Sequence, residues 1–350
     1  MCNREPDHAR HPLATLKPEA TSAHFGTFLL TARRIHSPAQ TSRPPLFMKA
    51  LLALSCLLAV ASCKPAASTP AAVAKSGKPQ VYVANYPLQY FAQRLGADLV
   101  DVHFPAPADE DPAFWQPDDD TLAKYQGADL IFMNGASYSK WVDSTTLPDE
   151  KVINTGSPYS DQYIEVKDAT THSHGPGGEH SHSGTAFTTW LDFQQAILQA
   201  QEVSKALQAV APATAKDTIA QRFEALKKDL TDLDHRLLGL GKRIGKTPLV
   251  ASHPVYQYLA RRYDLNLQSV LWEPETVPDD KAIADLQAIL AKHPAKHMLW
   301  EGTPSPASVT KLNALGIQSL VFAPCGNVPE TGDFFSVMKA NIEALDKAFP

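Results

Sequence analysis

The chain has 350 residues, 44% of them hydrophobic and 20% charged, with a formal net charge of −5. That is the composition of a soluble globular protein with room for two domains. The charge balance excludes a basic footprint for nucleic acid and a polybasic membrane patch, and no run of ~20 apolar residues is present to span a bilayer.

Residues 1–47 are rich in Arg, His, Pro, Ser and Thr without a sustained apolar period, and read as disordered or as a start assigned too early. Met48 opens a better-formed leader, with Lys49 as its charged region and Ala50 to Val60 as an apolar core of signal-peptide length. The order Val60-Ala61-Ser62-Cys63 resembles the lipobox of bacterial lipoproteins. It implies a signal peptide over 48–62 and lipid on Cys63; the alternative is a plain secretory signal with a chance cysteine. Residues 63–78, dominated by Pro, Ala, Ser, Thr and Lys, then form a flexible, lipid-anchored tether. Cys2 and Cys56 would leave with the removed segments, so Cys325 alone stays in the folded part and no internal disulfide is expected.

From Pro79 the chain alternates apolar runs with helical patterns. Strands are predicted at Val81 to Ala84, Leu99 to Phe104 and Asp129 to Met133, with helices at Leu88 to Leu95 and Asp118 to Gln126. This rhythm predicts a parallel sheet covered by helices, an N-terminal α/β lobe over 79–211. It breaks at Asp168 to Gly184, inside which lies a His-rich loop, 171–184, and a long helical region follows. There Ile219, Phe223, Leu226, Leu230, Leu233 and Leu237 recur at spacings of four and three, one apolar stripe on a helix from about Thr214 to Leu240. At ~40 Å such a helix can run along two lobes and tie them together, which makes 212–244 an interlobe segment. The rhythm restarts over 245–350 with strands near Leu249 to Ala251, Leu267 to Leu271, His297 to Trp300 and Ser319 to Phe322. Helices are predicted at Val255 to Tyr263, Lys281 to Lys292, Ser305 to Leu315 and Phe334 to Phe349. The fold class is α/β: two parallel-sheet lobes joined by one long rigid helix, with a ligand cleft between them.

The strongest chemical signal is His172-Ser-His174-Gly-Pro-Gly-Gly-Glu179-His180-Ser-His182, four imidazoles on a Gly- and Pro-rich loop. Imidazole nitrogen suits zinc, copper and nickel, and two His-x-His pairs are close enough for joint coordination; the bland alternative is a solvated loop. Asp109, Glu110 and Asp111 follow a predicted strand end. Asp118 to Asp120 read as a helix cap, which leaves Glu110 and Asp111 as the better candidates to ligate a cation. His253 stands after an apolar strand and before a helix, where a side chain faces a cleft, and Glu301 is another strand-end acid. Cys325 can be a thiolate ligand or a small buried hydrophobe.

Lipobox, α/β lobe, His-rich loop, long helix and second lobe together resemble the zinc/manganese solute-binding proteins of ABC importers, the TroA-like family. The resemblance implies an ion held between the lobes by four ligands. Glu110 matches an acid of that pattern, Asp111 and Thr188 stand where histidines are expected, His253 matches the second-lobe ligand as in zinc members, and Ala323 replaces an aspartate. Two arrangements follow: loop histidines complete a site with Asp111, His253 and Glu301, or the loop binds metal alone as a buffer. The expected function is capture of zinc, alternatively manganese, by a monomeric periplasmic lipoprotein that delivers it to an ABC permease. A chaperone not coupled to a transporter and a surface adhesin are the other binding readings. A metallohydrolase is disfavoured because neither His-Glu-x-x-His nor Gly-x-Ser-x-Gly occurs.

Overall fold

The computed structural model describes residues 77–166 and 184–350, together with the backbone of 171–173 and 179–181. The leader, Cys63, most of the tether, His174 and His182 lie outside the described residues.

The first lobe opens with β1 (Gln80–Val83), whose Val81 and Val83 are fully buried. Helix α1 (Tyr86–Gly96) starts where Asn85 caps it, the Asn85 side chain accepting from Leu88 N at 3.1 Å. Strand β2 (Asp101–His103) is shorter than the predicted run because a 3-10 turn occupies Ala97–Leu99. Helix α2 (Asp119–Gly127) begins at the aspartate run as expected, with Asp118 accepting from Thr121 N at 2.8 Å. Strands β3 (Leu130–Met133) and β4 (Val152–Asn154) complete a parallel sheet of order β2-β1-β3-β4.

The rhythm breaks where predicted, into two short antiparallel ribbons. One pairs β5 (Glu165–Val166) with β8 (Gly184–Thr185); the other pairs β6 (Thr171–Ser173) with β7 (Glu179–Ser181). The helical region is two helices, α3 (Phe193–Val210), capped by Asp192, and α4 (Lys216–Ile244). With 29 residues, α4 is about 43 Å long at 1.5 Å per residue. Its stripe of Ile219, Leu226, Leu230, Leu233, Leu237, Leu240 and Ile244 is buried, while Phe223 is only partly so.

The second lobe repeats the first: β9 (Pro248–Ala251), α5 (Gln257–Tyr263), β10 (Asn266–Ser269), α6 (Asp280–Leu290), β11 (His297–Trp300), α7 (Pro306–Ala314), β12 (Gln318–Val321) and α8 (Phe334–Ala348). Its sheet is again parallel, of order β10-β9-β11-β12, so the two lobes share one topology. Helix α4 packs on α1 of the first lobe and on α5 and α8 of the second, joining the lobes along its length.

Asp234 anchors that joint. Only 1% exposed, it accepts Arg262 Nε at 3.0 Å and Nη2 at 2.7 Å, the Tyr263 hydroxyl at 3.0 Å and Gln194 Nε2 at 2.9 Å. Burial alone would raise its pKa, but the Arg262 fork and the other donors outweigh burial and hold it below the usual carboxylate range. One carboxylate thereby fixes α3, α4 and α5 to one another.

Candidate metal centre

In each parallel sheet the strand order reverses beside the first strand, and side chains just past the strand ends converge there. In the second sheet that point lies between β9 and β11. Ser252 N donates to Leu299 O at 2.8 Å, which carries the pairing one residue beyond β9, and His253 comes next. Val255 N then donates to His253 O at 3.0 Å and turns the chain away, leaving the imidazole 2% exposed. On the other side, Trp272 N donates to Ser252 O at 2.7 Å, and Glu273 follows. Glu301 directly follows β11. The rings of Trp272 and Trp300, the residues before the two acids, are buried and 6.1 Å apart. Pro274 lies against Gly302, where a Cβ would meet the proline ring at 3.3 Å, and Pro274 O accepts from Ser305 N at 2.8 Å. The loops bearing the two acids therefore pack on each other.

The result is a compact donor set. His253 Nδ1 lies 3.4 Å from a Glu301 oxygen and 3.5 Å from a Glu273 oxygen, and one ligand atom from each of the three residues falls within 4.8 Å of the others. A tetrahedral ion bonded at ~2.1 Å sets its donors roughly 3.4 Å apart, so the two distances from His253 match the edge of a zinc coordination sphere. The electrostatics agree. Burial first, then the negative charges of Glu273, Asp111 and Glu275, push the Glu301 carboxyl well above its ordinary pKa. A divalent cation relieves that repulsion. Nearby Tyr256, also raised by burial and by Glu301, stays a neutral phenol and donates to Phe322 O at 2.8 Å.

The structure sorts the residues singled out by sequence. His253 and Glu301 come together. Glu110 does not join them: its side chain is exposed, and its carbonyl accepts from Asn327 Nδ2 at 2.8 Å. Asp111 sits on the loop after β2 with Oδ1 accepting from Ala113 N at 2.9 Å; it is outside the three-residue cluster, although its charge bears on Glu301. For His172 and His180 the backbone register alone is described, and it sets them directly opposite each other on β6 and β7. Thr188 is buried and its hydroxyl donates to Val255 O, so the position expected to carry a histidine ties the two lobes with a neutral bond. Ala323 has its N–H and carbonyl engaged by Asn341 at 3.0 and 2.8 Å. Burial, with Asp333 adding to it, pushes the Cys325 thiol up to about 12, so it is a small buried residue and not a thiolate donor.

Two points differ from the sequence reading. Every donor of the cluster comes from the second lobe, whereas a site divided between lobes was expected. Glu273 was missed because three residues separate it from β10. Its signal was the repeated Trp-Glu pair, Trp272-Glu273 and Trp300-Glu301.

Known proteins agree with this architecture. A family model described as "ZnuA: Zinc-uptake complex component A periplasmic" matches residues 81–348. The zinc-binding lipoprotein AdcA of Streptococcus pneumoniae is 25% identical over 282 residues, covering 77% of this chain and 55% of AdcA, so the chain spans about half the length of that relative. The high-affinity zinc uptake system protein ZnuA of Bacillus subtilis is 25% identical over 305 residues, 83% of this chain and 94% of that protein. Other relatives are named for manganese or iron transport. The crystal structure of the metal-dependent lipoprotein YcdH from Bacillus subtilis shares the fold, with a TM-score of 0.65 at 20% identity over 77% of this chain and 98% of that one. The family match runs from the second residue of β1 to the last residue of α8, across both lobes and the helix that joins them, and the chain belongs to the ZnuA family of periplasmic zinc-uptake components.

Proposed function

We propose that the protein is an extracytoplasmic, lipid-anchored solute-binding protein that captures zinc and delivers it to an ABC permease. The observation that carries this reading is the convergence of His253, Glu273 and Glu301 at the strand-order reversal of the second sheet, with His253 Nδ1 3.5 and 3.4 Å from the two carboxylates. His253 offers a nitrogen, the glutamates offer oxygens, and Asp111 of the first lobe, exposed and outside the cluster but with a charge that bears on Glu301, is the fourth donor of this reading. Zinc takes such a mixed set; manganese is the alternative, favoured by the carboxylates. The crowding that raises the Glu301 pKa makes zinc and a proton compete for that carboxyl, so affinity rises with pH. Cys63 bears the lipid, residues up to 78 tether a monomeric capture domain to the membrane surface, and a permease receives the ion. No helix of the described residues is long and apolar enough to cross a membrane.

The test is calorimetric titration of zinc, then manganese, into the wild-type protein and His253→Ala. Tight one-to-one zinc binding that collapses in the variant supports the reading; binding that ignores His253 defeats it. A second reading, zinc buffering by the loop, is favoured by the register of His172 opposite His180, with His174 and His182 adding imidazoles. It predicts additional, weaker equivalents of zinc that disappear when residues 171–184 are deleted.

A further inference from the structure

We propose that Asn327 is a positioning residue for metal capture: it clasps the acidic turn of the first lobe to the second lobe and so sets Asp111, the residue after that turn, as a first-lobe donor to the ion captured at His253, Glu273 and Glu301. The inference rests on the metal-capture reading above.

The geometry is specific. Residues 107–110 form a turn closed by Glu110 N donating to Pro107 O at 3.3 Å. Asn327 Nδ2, from the loop after β12, donates to the same Pro107 O at 2.7 Å and to Glu110 O at 2.8 Å, so one amide group with two N–H bonds grips both ends of the turn. The other end of that amide is also engaged, Asn327 Oδ1 accepting from Val328 N at 2.7 Å, which fixes the side-chain rotamer. The loop is stitched to the first lobe at two further points: Trp190 Nε1 donates to Pro324 O at 2.8 Å and Tyr86 N to Gly326 O at 3.0 Å. Between them Cys325 adopts φ +62°, a left-handed conformation that a non-glycine residue keeps only when its surroundings hold it there.

Asp111 is the next residue after the gripped turn. Its Oδ1 accepts from Ala113 N, and Phe114 N and Trp115 N both donate to its carbonyl, at 3.0 and 2.9 Å, so Asp111 joins the gripped turn, through its peptide bond to Glu110, to the turn that follows. Moving the turn moves the carboxylate. Ala323, at the start of the Asn327 loop, has no donor side chain. This loop acts on the metal through the first lobe, by orienting Asp111. Groups that orient a metal ligand carry effects of about 10- to 100-fold in affinity.

A double-mutant cycle in the full-length protein tests this, with zinc affinity and dissociation rate as readouts and cobalt(II) absorption as the report of coordination. Asn327→Ala and Asp111→Asn should each weaken zinc by about 10- to 100-fold, chiefly through faster dissociation, and the double variant should lose no more than either alone. The cobalt spectra of the two single variants should coincide and differ from the wild type. Additive losses would overturn the proposal. So would a silent Asp111→Asn, or an Asn327→Ala that lowers the melting temperature while zinc affinity and the cobalt spectrum stay at wild-type values. His253→Ala serves as the separate arm: if it leaves zinc binding intact, the metal-capture reading itself has failed.

Discussion

The two lobes present the same crevice with opposite chemistry. Two residues past β1 stands Asn85, and two residues past β9 stands His253; one residue past β3 stands Asn134, and one past β11 stands Glu301. Even the flanking bond repeats, Ala84 N to Phe132 O at 3.0 Å in the first lobe and Ser252 N to Leu299 O at 2.8 Å in the second. In the first lobe the pair is neutral and joined directly, Asn85 Nδ2 donating to Asn134 Oδ1 at 3.1 Å. Asn134 also donates to Phe187 O at 2.9 Å and accepts from Gln199 Nε2 at 3.0 Å. In the second lobe the pair is an imidazole and a carboxylate with a second carboxylate beside them. Topology creates both crevices; the side chains decide that one is a satisfied polar core and the other a donor set.

The largest expected effect separates the two directly. His253→Ala should lower zinc affinity on the order of a thousandfold, about 4 kcal/mol, by calorimetry, whereas Asn134→Leu should leave it unchanged. Next comes the joint that both lobes share: Asp234→Ala leaves Arg262 only the more distant Asp192 carboxylate, 3.7 Å away, and removes the buried acceptor of Tyr263 and Gln194, which should lower unfolding free energy by about 3 kcal/mol in denaturant melts, with zinc stoichiometry intact. Asn134→Leu should destabilise by about 2 kcal/mol, because Asn85 and Gln199 lose a buried partner. The smallest effect is a slope. Glu301 has a folded-state pKa above its unfolded value, so between the two the native state holds the extra proton and apo stability falls as pH rises. Glu301→Gln should flatten that slope and make the apo protein more stable near neutral pH while impairing zinc binding. A variant with the wild-type slope would mean that Glu301 is not crowded by its neighbours.

The sequence is most legible where one element repeats a strong pattern. The apolar stripe from Ile219 to Leu237 marks α4, and the aspartate run at 118 to 120 marks the start of α2. His253 and Glu301 stand out because each follows a short apolar strand almost at once. Glu273 does not, because β10 is a half-exposed edge strand and Val270, Leu271 and Trp272 intervene before the acid appears. Strand β4 escapes notice for a related reason: its three residues are half-buried or exposed, and it is defined by pairing with β3. Glu110 illustrates the converse. A run of acids after a strand looks like a ligand source, but Glu110 and Asp111 are both exposed and neither enters the cluster; Asn327 engages Glu110 by its carbonyl, and only the charge of Asp111 bears on Glu301.

The length of α4 bears on energetics as well as shape. A splint packed against both lobes, locked by Asp234 and Arg262, fixes the first lobe against the second, and so fixes where Asp111 stands relative to the cluster before any ion arrives. Little of the intrinsic binding free energy is then drawn off to reorganise the protein, and the observed dissociation constant stays close to that of the donor set itself.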